Sequence, residues 1–361
     1  MQRTTHLCFI LSILLAGCVT EQKAEPLQPL VFPPPPEEPR FVFERTVIGS
    51  ADIKSASAND RWHQILTGER DVSQGFGKPF DVTVCQGHMF VSDTVRRLVL
   101  AFNVPQHDYY EIGRDEPGSL SKPLGLATDG DCNLYVVDAT TRRVVVYDQG
   151  GRYLTAVGGQ ELLQRPSHVA VDQEGERIYV VDTGGVQSQD HRIRVFSGDD
   201  GRHLYDIGTR GKEGGQFNLP RDIDIGPDGL LYVVDGGNFR VQVLDRDGAF
   251  KHTFGQIGRR TGQFSRPKGI ALDPDGNVYV SDAAFGNLQI FNADGELLMF
   301  VGSRSEKFGR ATYMLPAGIE VDEDGRIYMV DQFFRKIDVY RPFGLAEQEG
   351  YLGAWNVPAR N

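Results

Sequence analysis

Along most of this chain, apolar residues alternate with polar ones over short runs, and Gly- or Asp-bearing turns punctuate the runs at regular spacing. Alternation with period two predicts strands, because successive side chains on a strand point to opposite faces. The stretch after Pro267 shows the unit: strands at 269–273, 278–281, 288–291 and 296–300, with Pro274-Asp275-Gly276-Asn277 and Asn292-Ala293-Asp294-Gly295 as turns. Glycine tolerates positive φ in such turns, and an Asp side chain can bond its own backbone two residues on. No ten-residue helical stripe interrupts this order. The unit opens six times on a proline, at Pro79, Pro123, Pro166, Pro220, Pro267 and Pro316, with spacings between 43 and 54 residues. That is the period of a four-stranded propeller blade.

The residues themselves carry a family resemblance. Val171-Asp172, Gly175, Ile178-Tyr179-Val180-Val181-Asp182, and later Asn238-Phe239-Arg240-Val241-Gln242-Val243, resemble NHL repeats, and the likeness extends over about residues 61–341. It departs at Leu98 and Asn287, which replace the usual Arg opening strand c, and in five extra residues between Asp182 and Arg192. The resemblance implies an all-β, six-bladed β-propeller of four-stranded antiparallel blades. It implies little about activity, since that scaffold carries lyases, lactonase-like relatives and modules that only bind. After 337–340 the sixth unit meets Pro342 and lacks a hairpin to a fourth strand. An N-terminal strand is therefore expected to close the ring; residues 61–67 hold the place directly before Pro79 that strand d holds elsewhere, while 41–48 would add an outer strand against Tyr351-Leu352.

The N-terminus reads as an export and anchoring signal. Met1-Gln2-Arg3 is a short basic start, Leu7 to Leu15 is an apolar run too short to span a bilayer, and Leu15-Ala16-Gly17-Cys18 resembles a bacterial lipobox. The implied organisation is a lipoprotein signal peptide at 1–17, a lipidated Cys18 leading a Pro-rich tether to residue 40, and the propeller at 41–361. The tether composition, with Pro33-Pro34-Pro35-Pro36 at its centre, favours polyproline II and a reach of roughly 70 Å. Val19 rather than Asp after the cysteine points to the outer membrane within a bacterial cell envelope.

A formal charge of −11 argues against nonspecific nucleic-acid binding. Of four cysteines, Cys8 leaves with the leader and Cys18 takes lipid, so Cys85 and Cys132 remain in the propeller. Both fall at a–b turns of neighbouring blades: either they form a disulfide, which export permits, or they are two unrelated small residues. No Cys-x-x-Cys metal or haem motif is present. A closed ring of this size is expected to be monomeric.

Charge is nevertheless distributed by face. The a–b and c–d turns share one face and are rich in acids, including Asp172, Asp273, Asp275, Asp294, Asp322 and Asp324. The d–a and b–c loops share the other, with Lys78, Lys122, Arg165 and Arg266 directly before prolines and Arg221 and Lys268 directly after them. Long d–a loops add Arg259 and Arg260, together with Arg210, Lys212, Arg304, Lys307 and Arg310. The pairs Asp138 with Arg143, Asp182 with Arg192 and Asp235 with Arg240 are expected to brace the b–c loops.

The second residue after each proline reads Asp81, Gly125, His168, Asp222, Gly269 and Gly318. These positions converge on the axis, where Asp81, His168 and Asp222 suit a divalent metal or a general acid/base set, with the three glycines leaving room for a small molecule. The NHL enzymes that cleave peptidyl-hydroxyglycine hold zinc with several axial histidines and use a tyrosine in a b–c loop. Here only His168 matches, and no tyrosine follows the b-strand aspartates. No Gly-x-Ser-x-Gly elbow exists. The reading is thus a lipid-anchored, noncatalytic binding or scaffold propeller without a cofactor, presenting its basic loop face to an envelope protein or an anionic polysaccharide. The alternative is a metal-dependent hydrolase or lyase using the axial Asp/His set.

Overall fold

The computed structural model describes residues 28–53 and 74–353. Each blade is a four-stranded antiparallel meander whose strand a begins at one of the six prolines: Pro79–Cys85, Pro123–Thr128, Pro166–Val171, Pro220–Ile225, Pro267–Leu272 and Pro316–Val321. Strand b follows each, as in Leu231–Asp235, and is almost entirely buried, because both its faces are covered by neighbouring blades. Apolar residues of adjacent blades interlock around the ring; Tyr232, Val243 and Phe264 of the fourth blade and its exit loop pack on Ile270 and Phe291 of the fifth.

Two repeated devices shape the loops that carry the site. The strand-b aspartate of every blade is fully buried and accepts backbone amides from the preceding d–a loop: Asp93 from Gly77 (2.6 Å), Asp138 from Ser121 (2.6 Å), Asp182 from Arg165 (2.7 Å), Asp235 from Asn218 (2.6 Å), Asp282 from Ser265 (2.7 Å) and Asp331 from Met314 (2.8 Å). A glycine after strand d then lets the loop fold back over its own side chain. At Gly208 and Gly255, both at positive φ, a Cβ would stand 2.4 Å from Phe217 and 2.3 Å from Phe264. Only glycine fits that combination.

The ring closes with Phe41–Val47, which supplies the fourth strand of the sixth blade by pairing antiparallel with Lys336–Pro342, in the register Phe43↔Tyr340 and Val47↔Ile337. The expectation that 61–67 would fill this place is corrected: that segment lies outside the described residues, and its slot is taken. Val47 is buried in the core, Thr46 donates to Asp338 (2.7 Å), and the buried Arg326 guanidinium pairs with Glu44 at 3.0 Å. Residues 41–48 are accordingly strand d itself and not an extra layer on Tyr351-Leu352. The folded body also begins before residue 41. Val31–Phe32 pairs with the closing strand as a fifth strand, and the Phe32 ring meets Tyr340 edge-on at 5.7 Å. No helix among the described residues is long and apolar enough to cross a membrane.

Candidate functional site

Three places could bind a ligand: the axial ring, the cavity on the acidic side of that ring, and the mouth on the basic side. Strand-a geometry does bring Asp81, His168 and Asp222 together. His168 Nε2 lies 3.3 Å from Asp81 Oδ2 and 3.5 Å from Asp222 Oδ1, with all three side chains buried. The imidazole reaches from blade 3 to blade 1 by passing over Gly125, where a Cβ would sit 2.6 Å from its ring. Asp81 fills the space at Gly318, and the Ala317 carbonyl oxygen would lie 2.7 Å from a Cβ at Gly269. The three glycines therefore do not make room for a ligand. They admit the clamp and a close backbone approach.

Burial works against a charged His168, and the Asp222 and Asp81 carboxylates more than offset it, lifting the ring to about 9. Asp222 is itself pushed up, by burial first and by Asp81 next, with His168 opposing. Both aspartates are also occupied as staples between blades. Asp81 accepts the Leu126 amide at 2.8 Å, and Asp222 accepts Ile223 at 2.8 Å and Ile270 at 2.9 Å. Phe80 covers the imidazole at 5.6 Å. The ring lies between two carboxylates that favour its protonated form, and with the amides those carboxylates accept the cluster ties blades 1 to 5 together at the axis.

Beyond the clamp a cavity of about 900 Å³ opens through the a–b turns. Asp81 and Asp222 contribute to its floor, while His168 does not line it. Its wall carries Thr83, Asp224 and Glu320, none of which the sequence reading singled out as a site. Burial raises Asp224 to about 6. Burial, then the Asp224 charge, raises Glu320 well above its ordinary range. Asp224 again staples blades, accepting Ile225 at 2.7 Å and Leu272 at 2.8 Å. Alternation along strand a, which puts Asp224 two residues after Asp222, was the signal available for it. Among the described residues no group of three or more His, Cys, Asp or Glu could hold a metal ion.

The rim of this cavity is acidic in sequence but much of its charge is engaged. Asp273 accepts the Asn277 amide and the Tyr279 hydroxyl, each at 2.8 Å, and Asp322 accepts Arg326 and Tyr328 at 2.8 and 2.7 Å. These contacts explain the recurring strand-a Asp and strand-b Tyr. Several turn acids pair with cations of the same face: Asp172 with Arg246, Asp245 with Lys251 and Asp247 with Arg177. Cys85 and Cys132 are joined as a disulfide across the first two a–b turns, with Cα atoms 5.7 Å apart.

The opposite face behaves differently. Lys78, Lys122, Arg165, Arg259, Arg260 and Arg266 are exposed, Arg221 and Lys268 are half-buried beside the axis, and none of the eight forms an ion pair among the described residues. Lys268 is brought down to about 8 by burial, then by Arg221 and Arg266; Arg221 is lowered by burial, then by Arg165 and Arg266. The five most exposed large apolar side chains described, Val95, Val186, Ile257, Phe308 and Phe333, all stand on b–c or d–a loops of this face. Sequence reasoning passed over them because isolated loop hydrophobes carry no periodicity.

Of the expected braces, only Arg240 pairs with its aspartate, Asp235, at 2.9 Å. Arg143 donates to the Ser119 carbonyl at 3.1 Å, and Arg192 pairs with Asp190 and Asp206 at 3.2 and 3.0 Å. Asp182 takes Arg194 at 3.6 Å in place of Arg192, beside the loop amides that it accepts.

The NHL repeat model matches residues 217–244 and 264–291, the strand a–c cores of blades 4 and 5. The protein is an NHL-repeat, six-bladed β-propeller. No curated protein matches it in sequence. Among solved structures it is similar to a structural genomics protein of unknown function from Bacteroides thetaiotaomicron, with 17% identity over 82% of this chain and 75% of that one and a TM-score of 0.61. It is also similar to streptogramin B lyase, with 13% identity, 75% and 95% coverage and a TM-score of 0.56. A gluconolactonase from Xanthomonas campestris matches with 16% identity, 74% and 86% coverage and a TM-score of 0.55. Likeness at these identities establishes the shared fold.

Proposed function

We propose that this propeller is a noncatalytic binding module, held at the bacterial outer membrane through lipid on Cys18, whose d–a and b–c loop face engages an anionic partner. The partner is an envelope protein with an acidic surface or an anionic polysaccharide. One observation carries the reading: the unpaired cations and the most exposed apolar side chains share a single face, while the acids opposite are largely consumed by turns and ion pairs. Clustered cations steer acidic partners, and exposed apolar tips supply contact area once they arrive. Replacing Arg165, Arg259, Arg260 and Arg266 with Glu should lower retention on immobilised dextran sulfate severalfold. Asn at Asp199, Asp275 and Asp294, exposed on the other face, should leave it nearly unchanged. Equal losses from both sets, or retention indifferent to salt, would refute the reading.

A second reading is favoured by the cavity of about 900 Å³ and by the lyase and gluconolactonase among similar folds. In it, Asp81, Asp222 and His168 with a divalent metal perform hydrolysis or elimination at the axis. It has less support, because His168 lies behind the cavity floor and the aspartates are tied to backbone amides. A stoichiometric metal in the purified protein, lost in Asp81→Ala and Asp222→Ala, would favour it.

A further inference from the structure

We infer that the mouth of the axis on the d–a face is a binding site for a phosphate group, held by Arg221 and Lys268 and flanked by Arg165 and Arg266. The inference rests on the basic-face reading above and narrows it to one place and one chemistry.

Arg221 and Lys268 occupy the same position, directly after the strand-a proline, on adjacent blades 4 and 5. Arg165 and Arg266 stand directly before the prolines of blades 3 and 5. The convergence of strand a on the axis thus brings four cations to one side of it, with Arg221 in electrostatic range of Arg165 and Arg266, and Lys268 in range of Arg221 and Arg266. The loops farther out carry acids of their own, Asp115, Glu116, Glu161, Glu213 and Glu306; none forms an ion pair with the four cations. The outer loops therefore mix these acids with Lys212, Arg259, Arg260 and Lys307, whereas the mouth carries its cations with no paired acid among the described residues.

The cations are held in place without being neutralised. The Arg221 carbonyl accepts the Ser167 hydroxyl at 3.1 Å, and Thr183 Oγ1 reaches Ser167 Oγ and the Pro220 carbonyl, each at 3.0 Å, fixing the backbone from the neighbouring blade. The Arg221 stem lies against Gly236, where a Cβ would come within 2.7 Å of its Cγ. The side chain is seated by a missing methyl group. Two half-buried cations beside two exposed ones, with no carboxylate partner among the described residues, repel one another; a bound anion relieves that repulsion.

A dianion answers four cations better than a monocarboxylate, and planar guanidinium forks match phosphate oxygens two at a time. Blades 1, 2 and 6 contribute Phe80, Leu124 and Ala317 at the position of Arg221 and Lys268. Ala317 is buried in the core, and Ser167 of blade 3 is polar, so partly exposed apolar surface at this level comes from Phe80 and Leu124, which suits a phosphate ester bearing an organic group over free phosphate alone. Such an ester can come from a soluble metabolite or from a lipid headgroup.

The test uses the full-length chain in neutral detergent, titrated calorimetrically at constant ionic strength with inorganic phosphate, glycerol phosphate and monomeric dihexanoyl phosphatidate. Saturable binding of at least one phosphate compound is expected, weakened tenfold or more in the Arg221→Gln/Lys268→Gln double variant and unchanged in Arg202→Gln, exposed on the opposite face, with both variants melting as the parent does. Equal affinity for all three marks a site that reads phosphate alone; tighter phosphatidate marks a lipid headgroup site. If the double variant melts early, single Lys268→Gln must still weaken binding threefold. No saturable binding, or binding untouched by these substitutions, overturns the inference. Should dextran sulfate retention still fall in the four-arginine variant, the basic-face reading survives that failure; if neither responds, both are wrong.

Discussion

Replacing Asp81 with Asn removes one of the two carboxylates that hold the His168 imidazolium, and its cost should depend on pH in a defined way. Asparagine can still accept the Leu126 amide that Asp81 Oδ2 accepts at 2.8 Å, so the main loss is charge. His168 titrates at about 9 in the fold and at about 6.5 in an unfolded chain. A base raised by folding lends stability that is complete below pH 6.5 and gone once pH has risen through 9. At pH 7 that stability is about 2.5 kcal/mol, from roughly 1.4 kcal/mol per pH unit integrated from pH 7 upward through the folded midpoint. Burial, which lowers the imidazole, is unchanged by the substitution, and one carboxylate remains to oppose it; the midpoint should fall to 6.5 or below. Asp81→Asn should then cost about 2.5 kcal/mol in urea unfolding at pH 7 and much less at pH 10. Long-range nitrogen–proton NMR of the imidazole should show a cation at pH 8 in the parent and a neutral ring in the variant. The same destabilisation at both pH values, or a neutral His168 in the parent at pH 8, would refute the clamp.

Three further outcomes follow from the seam and the turns. Deleting residues 28–47 should abolish cooperative melting, since it opens the sixth blade along Lys336–Pro342, whereas excising 61–67 should leave a cooperative transition; the reverse result by calorimetry would restore the original assignment. Glu44→Ala should cost about 3–5 kcal/mol in urea unfolding, because it leaves the Arg326 guanidinium, buried in the seam, without that carboxylate; a cost under about 1 kcal/mol would show that the Glu349 carbonyl, which accepts from Arg326 at 2.8 Å, suffices. Breaking the Cys85–Cys132 link, which spans 47 residues, should lower stability by about 4 kcal/mol on the loop-entropy estimate, and a nonreducing mass measurement finding two free thiols would remove the bridge altogether.

Much of this fold was legible in the chain because its logic is local and repeated. Each proline opens a strand a, each Tyr-Val-x-Asp marks a buried strand b, and the offset of two from the proline picked out Asp81, His168 and Asp222 before any distance was known. The closing strand was not legible in the same way. Phe41–Val47 pairs with a segment almost three hundred residues distant and carries no proline marker, while 61–67 holds the sequence position that strand d holds in every other blade. What identifies the true strand is complementarity visible only in three dimensions: Glu44 on Arg326, Thr46 on Asp338 and Val47 in the core. The axial glycines misled for a related reason. A missing side chain reads as empty space, yet His168 and Asp81 occupy the room at Gly125 and Gly318. Loop arginines were expected on the strand-b aspartates, yet Arg192 pairs with Asp190, nearer in sequence, and Arg143 with a carbonyl, while Arg240 alone meets Asp235.

Site-specific photocrosslinking in cells expressing the full-length chain tests the binding face most directly. A benzoylphenylalanine placed at Ile257 or Phe333, on the basic loops, should yield the same crosslinked species from both positions and lose it when Arg165, Arg259, Arg260 and Arg266 are reversed to Glu. The same probe at Asp199 or Asp275 should yield none. A discrete product from the turn face with nothing from Ile257 and Phe333 would contradict the assignment and place the contact at the mouth of the acidic cavity.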